Sequence, residues 1–247
     1  LVGSEMCIRD RGAGVHTNRA VRNISRIAAA YGYSADMTIF QRNITMSLIC
    51  KDDETLRRTS VRKLKPLAFN LNLIQQLSEL SWLPVDNNVS IAEMEQAFRS
   101  IVRTKRFSRW TDLLLVSVGN AAFCRLFNGD LWAMLTVFAA TLLGFLVKQQ
   151  LSRLKYNPLG VIILSAFAAS MAAACAVIFQ LGSTPQIALA TSVLFLVPGV
   201  QMINSIMDLM HGHILMGISR GVHSIMMISC ITIGLSATML IVGVNSL

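Results

Sequence analysis

Three polar residues after a helix-breaking dipeptide are the part of this 247-residue chain with the clearest chemical meaning. The dipeptide Pro198-Gly199 interrupts a long apolar run, and because proline removes a backbone donor, a kinked or broken helix is predicted there. Gln201, Asn204 and Asp208 follow at spacings that place them on one face of a helix. Membrane transporters often bind solutes at such breaks, whereas a structural kink with amides in hydrogen bonds between helices explains the pattern equally well.

Two polar residues in an earlier apolar stretch are further candidates for contact with a solute. Asn120 and Arg125 interrupt the run 111–127, and a charge in the centre of a membrane span costs on the order of 2.5–3.5 kcal/mol. Arg125 could extend to the lipid headgroups, or it could face the protein interior and pair with an anion. Both residues are therefore counted with the substrate-path candidates.

Histidines and acids suggest two other kinds of chemistry. His213 is a candidate for a proton-linked role, because histidine titrates near neutral pH. Together with Asp208 and His211 it gives a D-x-x-H-x-H spacing, but no fourth metal ligand is evident and a helix end accounts for the residues more simply. The acidic run 52–54 is best interpreted as a solvated turn. No metal site is predicted.

The sequence lacks the common catalytic motifs. It has no phosphate-binding loop of the Walker type, no H-E-x-x-H, no G-x-S-x-G and no Cys/His zinc spacing. An ATP-driven pump and a hydrolase of the soluble type are therefore disfavoured, and no catalytic residue is assigned. The net charge of +9 would suggest a nucleic-acid partner in a soluble protein. Most of it lies beside apolar stretches, where it meets anionic lipid instead.

Five apolar stretches position the candidate residues. At about 1.5 Å per helical residue, each is long enough to cross or nearly cross a hydrocarbon layer of about 30 Å. The predicted spans are 111–127, 131–147, 159–181, 187–207 and 222–244.

Basic residues between these spans lie on alternate sides of the predicted membrane. They precede the first span and occupy the gap 148–158, and the loop before the last span holds Arg220. The connections 128–130 and 182–186 and the tail 245–247 have none. Because positively charged loops stay in the cytoplasm, the N-terminal region is predicted to lie inside and the C-terminus outside.

The more polar residues from Gly12 to Ser108 form short elements, which predicts a small cytoplasmic α+β domain. A helix is predicted to end at Gly32, with a basic stripe that is either solvated or in contact with an anionic group. The stripe consists of Arg19, Arg22 and Arg26. Alternating apolar residues predict a β-hairpin over 37–48 and a third strand over 55–62. Helices are predicted over 71–83 and 90–102, the second with a capping box at Ser90 and Glu93.

The first eleven residues, Leu1 to Arg11, correspond codon by codon to a common transposon-tagmentation sequencing adapter. We exclude them from the fold and expect the natural N-terminus to lie upstream of Gly12. The fold class predicted is an α-helical multi-pass membrane protein with about five transmembrane helices and an N-terminal α+β domain. The domain boundaries are 12–108 for the cytoplasmic domain and 109–247 for the membrane domain.

Three groups of residues carry a family resemblance. They are Gly12-Ala13, His16-Thr17, Arg19 and Arg22-Asn23; Phe123-Cys124-Arg125-Leu126 with Asn128-Gly129; and Leu196-Val197-Pro198-Gly199 with Asn204, Asp208, Gly212, His213 and Arg220. With these residues the chain resembles the threonine/serine exporter family, specifically its separate N-terminal-half proteins. The resemblance covers essentially everything after Arg11.

This resemblance implies a cytoplasmic domain and about five helices, completed by a C-terminal half that is either fused or encoded as a second protein. The chain is therefore expected to act with a C-terminal-half threonine/serine exporter membrane protein. The resemblance further implies export of threonine and serine, or of succinate in the two-protein form, across the bacterial inner membrane. Ion gradients rather than ATP would drive it. The sequence does not choose between these cargoes.

The leading hypothesis is a half-subunit of a secondary exporter of small carboxylates, in which Arg125 meets the carboxylate. The path would be shaped by Pro198, Gly199, Asn204 and Asp208. The alternative is a membrane-anchored enzyme or regulatory subunit whose activity lies in the soluble domain. Its catalytic candidates are His16, Asp36, Asp52 and Asp53. Neither hypothesis requires a cofactor.

Overall fold

The computed structural model describes residues 5–9, 14–40, 43–53, 55–63, 70–87, 89–103 and 108–243. The chain forms two compact units. The first comprises Leu1–Lys105 and Gly199–Val222, and the second Arg106–Pro198 and His223–Leu247. The segment 199–222, which the predicted boundary assigns to the membrane domain, thus packs with the N-terminal residues.

In chain order the helices and strands are α1 (Thr17–Ala30), β1 (Tyr33–Ile39), β2 (Asn43–Cys50), β3 (Arg57–Lys63), α2 (Leu71–Leu80), α3 (Leu83–Asn87), α4 (Ile91–Arg103), α5 (Arg109–Leu126), α6 (Leu131–Arg153), α7 (Pro158–Ile178), α8 (Pro185–Thr191), a 3-10 turn (Leu194–Leu196), α9 (Gly199–Met210) and α10 (Ile214–Val242). Residues 5–9 are also helical.

Helix α1 ends at Ala30, next to the predicted end at Gly32, and it begins at Thr17. His16 caps its first turn, because its Nδ1 accepts a hydrogen bond from the Arg19 N–H at 3.3 Å. At the other end Gly32 adopts a φ of +79°, which glycine tolerates without strain. The basic stripe is not uniformly solvated, since the Arg26 guanidinium lies 3.6 Å from the centroid of the Trp82 ring. This cation–π contact ties α1 to the segment before α3.

The predicted hairpin is confirmed. Strands β1 and β2 pair antiparallel with Met37 opposite Met46, and β3 adds to β2 antiparallel with Ser60 opposite Met46. The sheet order is β1-β2-β3, so the predicted third strand is confirmed as well. The predicted connection at residues 41–43 includes Gln41 and Arg42, which lie outside the described residues.

The helices of the first unit pack on this sheet. Buried apolar side chains fill the space between them, namely Ala20, Ile24, Ile27, Ile39, Ile44, Met46, Ile74, Leu77, Leu80, Met94 and Phe98, together with Met6, Cys7 and Val15. Helix α4 has the predicted capping box: the Ser90 N–H donates to Glu93 Oε2 at 2.8 Å, and the Glu93 N–H donates to Ser90 Oγ at 3.3 Å. The predicted helix 71–83 is confirmed as α2 from Leu71 to Leu80, where it ends earlier than predicted; a turn follows at 81–82, and α3 begins at Leu83.

Small residues bring the helices of the second unit close together. A Cβ atom at Gly144 of α6 would lie 2.7 Å from the Ala169 Cβ and 3.0 Å from the Ser165 carbonyl oxygen of α7. On α10, a Cβ atom at Gly234 would lie 2.6 Å from the Ile163 carbonyl oxygen. Only glycine permits such approaches, as is usual for helices that pack within a membrane.

Among the residues that the structure describes, three helices are long and apolar enough to cross a membrane, namely α6, α7 and α10. A bent pair, Pro185–Leu196 and Gly199–Met210, counts as a fourth if it forms one span. The described part of the chain is thus mostly helical, with three or four candidate spans and a small sheet, which is consistent with a membrane protein. The prediction of five spans is not confirmed. Helix α5 coincides with the first predicted span, but its 18 residues include Arg109, Asp112 and Arg125.

Two further predictions concern the last third of the chain. The break at Pro198-Gly199 is confirmed, because α8 ends at Thr191, a 3-10 turn follows and α9 begins at Gly199. The placement of Arg220 in a loop is wrong: α10 begins at Ile214, eight residues before the predicted start of the last span at 222, and Arg220 lies within it. A carboxylate that pairs with this arginine makes the helical position tolerable.

Candidate functional site

Three side chains from α9 and α10 hold the backbone at the start of α1. The Asn204 amide Nδ2 donates to the Gly14 carbonyl oxygen at 2.6 Å, and Arg220 Nη2 donates to the Val15 carbonyl oxygen at 2.7 Å. Asp208 Oδ1 accepts a hydrogen bond from the Thr17 N–H at 2.7 Å. We call Asn204, Asp208 and Arg220 the clasp. It joins residues about 190 positions apart in the chain.

Within the clasp, Asp208 and Arg220 form a buried ion pair. Asp208 Oδ2 lies 3.2 Å from Arg220 Nη1, and the two side chains are 0 % and 12 % exposed, respectively. A buried carboxylate loses its hydration, which an opposite charge and hydrogen bonds must replace. Thr17 is the first residue of α1, so its N–H belongs to the positive end of the helix dipole. The guanidinium and this helix start therefore compensate the Asp208 charge together.

The local sequence explains how the clasp side chains come to face one another. Asn204 and Asp208 lie one turn apart on the same face of α9. Gly212, with a φ of +80°, lies in the turn between α9 and α10. Ser205 Oγ then donates to the Gly217 carbonyl oxygen at 2.6 Å. A Cβ atom at Gly217 would lie only 2.9 Å from the Ser205 carbonyl oxygen, so α9 and the first turns of α10 cross closely and bring Arg220 to Asp208.

Two histidines adjoin the clasp. The rings of His16 and His211 are stacked, with 6.0 Å between centroids and 10° between planes. Partial burial lowers the pKa of His16 below the ordinary 6.5, and the neighbouring His211, Arg22 and Arg19 lower it further, against the opposing effect of Asp208. His16 is therefore neutral near pH 7, in agreement with its Nδ1 accepting a hydrogen bond at the start of α1.

The structure places the remaining predicted residues of this region as follows. Gly199 begins α9, and Pro198 precedes it directly. Gln201 is half-buried on α9. His213 donates its backbone N–H to the Asp208 carbonyl oxygen at 2.8 Å and thereby closes the end of α9. It is His16, rather than His213, that stacks on His211.

Asn120 and Arg125 belong to the second unit, where they make contacts within it. The buried Asn120 amide donates to Thr141 Oγ1 at 2.7 Å and to the Thr191 carbonyl oxygen at 3.2 Å, so it links α5, α6 and the end of α8. Arg125 is exposed and donates to the Gly129 carbonyl oxygen at 3.1 Å, just past the end of its own helix. The structure thus brings together Asn204 and Asp208 among the predicted path residues.

A second polar cluster, centred on Asp130, links two loops of the second unit. Its carboxylate accepts hydrogen bonds from the Ser183 N–H at 2.8 Å and from the Ala133 N–H and the Thr184 hydroxyl at 2.9 Å each. These donors, the Ser183 N–H first, lower the pKa of Asp130. Asp130 accordingly links the connection 128–130 to the loop 182–184, and no motif in the sequence indicates this role.

Residue chemistry alone does not indicate the arginine of the clasp or its backbone partners. The sequence pattern predicts Arg220 as a loop charge, and the backbone of Gly14, Val15 and Thr17 carries no chemical signal of its own. The available clue was that Arg220 is the lone basic residue between two apolar stretches, twelve positions after the acidic Asp208. Among the residues that the structure describes, no three His, Cys, Asp or Glu side chains are grouped as metal ligands would be.

Comparison with known proteins places this architecture in a family. The ThrE family model, described as "Putative threonine/serine exporter", matches residues 11–242. The chain belongs to the ThrE family. The clasp therefore lies wholly within the part of the chain that ThrE proteins share, and it unites the first and third groups of residues that carry the resemblance. No solved structure matches the chain.

Two curated relatives carry the name "Probable succinate transporter subunit YjjP". The protein of Escherichia coli (strain K12) is 32 % identical over 201 residues, which cover 79 % of this chain and 76 % of the relative. The protein of Klebsiella aerogenes is 29 % identical over 220 residues, with 87 % and 83 % coverage. Family and relatives alike are named as transporters, so this chain is a transporter-family membrane protein.

Proposed function

We propose that this chain is one subunit of a secondary exporter of small carboxylates, threonine and serine or succinate, in the bacterial inner membrane. The observation that carries the proposal is the match to a family of exporters along nearly the whole chain. The buried ion pair of Asp208 and Arg220, directly after a broken helix, supports it. Charged groups beside apolar helices require a partner or a function.

The proposal includes a second protein. The two relatives are named as subunits, which supports a partner for them and, by extension, for this chain. The partner we propose is a C-terminal-half threonine/serine exporter membrane protein. The two halves would share the lipid bilayer, and neither would require nucleotide or a cofactor.

The proposed topology has five crossings, with α5 as the first. The basic residues ahead of α5 and between α6 and α7 favour a cytoplasmic N-terminal domain and an external C-terminus. Many apolar side chains of these helices are exposed, among them Leu115, Leu135, Leu164 and Ile225, and lipid contact would cover them.

The proposed substrate path follows the candidate residues, which are Asn120, Arg125, Pro198, Gly199, Gln201, Asn204 and Asp208, with His213 as a proton-linked residue. The contacts of Asn120 and Arg125 support a role in shaping helix ends and crossings. Those of Asp208 support a direct electrostatic role, because a buried carboxylate paired with arginine can respond to a charged solute.

The test is solute release from cells. Extracellular threonine, serine and succinate are measured by mass spectrometry for cells with this chain alone, with the C-terminal-half protein alone and with both. Accumulation of one solute only with both chains is the expected result and identifies the cargo. Unchanged levels of all three solutes, with both proteins present in the membrane fraction, would contradict the proposal.

The alternative enzyme in the soluble domain lacks a comparable observation in its favour. His16 caps α1, Asp53 accepts hydrogen bonds from Thr55, and Asp36 is exposed on β1. Each of these candidates thus has a local role or a solvated position.

A further inference from the structure

We propose that Arg220 and the start of α1 form a carboxylate-binding site, in which Asp208 is the resident carboxylate that the cargo replaces. This inference rests on the proposed function for the identity of the cargo. The site itself is argued from the contacts of Thr17, Asp208 and Arg220.

The groups around the Asp208 carboxylate are those with which proteins bind small carboxylates. A helix N-terminus offers backbone N–H groups and a positive dipole, and arginine offers charge-assisted hydrogen bonds. Here the Thr17 N–H lies 2.7 Å from Oδ1, and Arg220 Nη1 lies 3.2 Å from Oδ2. A cargo carboxylate in place of Asp208 would find the same two groups.

The site has hydrogen-bonding capacity that Asp208 leaves unused. An ionised carboxylate has about four acceptor positions, yet Oδ2 accepts no hydrogen bond from any residue that the structure describes. The Thr17 hydroxyl, on a residue only 2 % exposed, also has no hydrogen-bond partner within the described ranges. Buried polar groups are normally satisfied, so both atoms are available to a further hydrogen-bond partner, in addition to the ion pair of Oδ2 with Arg220 Nη1.

The unused hydroxyl belongs to the residue whose N–H already holds the carboxylate. A carboxylate that is not tethered to α9 can orient to accept from the N–H and the hydroxyl of Thr17 together. Asp208 reaches the site only from its position on α9, which restricts its approach. An untethered ligand therefore makes at least one hydrogen bond that Asp208 does not.

Displacement of the Asp208 side chain by a cargo carboxylate would change the contacts that hold α9. Asn204 and Arg220 keep their contacts with the Gly14 and Val15 carbonyl oxygens, whereas the link from α9 to the Thr17 N–H is lost. Cargo binding would thus favour a conformation with α9 released at Asp208, which is how a ligand shifts a conformational equilibrium. The exchange couples occupancy of the site to movement of the helix that follows the break.

The test is chemical rescue of the purified full-length chain in detergent. In Asp208→Ala the resident carboxylate is gone, so the Thr17 N–H and Arg220 Nη1 lose the carboxylate oxygens that they contact in the wild type. Succinate, threonine and acetate are titrated separately, with chloride at matched ionic strength, while the unfolding temperature is recorded. We expect a saturable rise with at least one carboxylate, at a half-saturating concentration at least about tenfold lower than in the wild type, because the internal competitor is absent.

Three further variants make the result decisive. Asp208→Asn keeps the side-chain shape, and it replaces Asp208→Ala if the latter does not fold. Asp208→Ala combined with Arg220→Gln is expected to lose the carboxylate response. Asp130→Ala removes a carboxylate that caps a helix and pairs with no arginine among the described residues, and it is expected to gain no response. Equal responses to chloride and carboxylates, or none in either Asp208 variant when folded, would overturn the inference.

The binding test and the export test can fail independently of each other. Carboxylate rescue in a protein that exports nothing with its partner would retain the site and refute the proposed export. Export without any carboxylate response in the folded Asp208 variants would retain the exporter and refute the exchange.

Discussion

Asp208 and Arg220 form an ion pair in which both side chains are largely buried. Removing one member of a buried pair leaves the other charge without compensation, at a cost of about 3–5 kcal/mol. We therefore expect Arg220→Gln to lower the free energy of unfolding of the purified protein by about this amount, as measured by denaturant or thermal unfolding.

The matched control is Arg99→Gln, because Arg99 pairs with Glu95 on the surface of α4 with side chains 68 % and 44 % exposed. An exposed pair of this kind contributes no more than about 1 kcal/mol. Equal losses in the two variants would show that the pair of Asp208 and Arg220 behaves as a surface pair.

His16 gives the region around the clasp a pH dependence of predictable sign. Its pKa is lowered in the folded state, so the unfolded chain binds the proton more readily. The stability that depends on neutral His16 is fully present above pH 6.5, the ordinary pKa of histidine. It is lost as the pH falls through the lower pKa that His16 has in the folded protein. Protonation would also remove the Nδ1 acceptor that caps α1.

The measurement compares unfolding temperatures from about pH 8 down to about pH 5 in the wild type and in His16→Asn. Asparagine caps helices well and does not titrate in this range. We expect the variant to lose less stability on acidification. Parallel curves for the two proteins would assign the pH dependence to other groups.

At the scale of elements, the crossing of α9 and α10 depends on a residue without a side chain. An alanine Cβ at Gly217 would lie 2.5 Å from Leu209 Cγ and 2.9 Å from the Ser205 carbonyl oxygen, so the helices must move apart. We expect Gly217→Ala to destabilise the protein by about 1–3 kcal/mol in the same unfolding measurement.

Gly160→Ala on α7 is the control for this substitution. A Cβ atom at Gly160 meets nothing within 4 Å, and alanine favours a helix over glycine by up to about 1 kcal/mol. A neutral or stabilising effect is therefore expected. If Gly217→Ala were equally harmless, the close crossing would not be what positions Arg220.

Local patterns predict the elements that depend on neighbours in the sequence. Helix α1, the hairpin, α4 with its capping box and the break at Pro198-Gly199 are all set by caps, alternation or proline within a few residues. The start of α10 is not predicted correctly, because a hydropathy pattern excludes the charged Arg220 from an apolar helix. The partner that compensates this charge, Asp208, lies on another helix. The hydrogen bond from the Thr17 N–H to Asp208 spans 191 positions, and no periodicity records such a contact.

At the scale of the whole molecule, the proposed orientation places the N-terminal domain and the loop before α8 on opposite sides of the membrane. Ser34 is exposed on β1, and Ser183 is exposed in the loop before α8. In a cysteine-free background, Ser183→Cys should react with an impermeant maleimide in intact cells, because it lies in a loop without basic residues. Ser34→Cys should react only after permeabilisation. The reverse pattern would invert the topology.

The division of the first unit between Leu1–Lys105 and Gly199–Val222 has a consequence for biosynthesis. When the ribosome has made the N-terminal residues, the side chains that hold Gly14, Val15 and Thr17 do not yet exist. Residues 106–198 are translated before them, so α1 lacks the contacts of the clasp until α9 and the start of α10 have been synthesised. A product truncated before Asn204 would lack all three side chains of the clasp, and the backbone of Gly14, Val15 and Thr17 would be without these contacts.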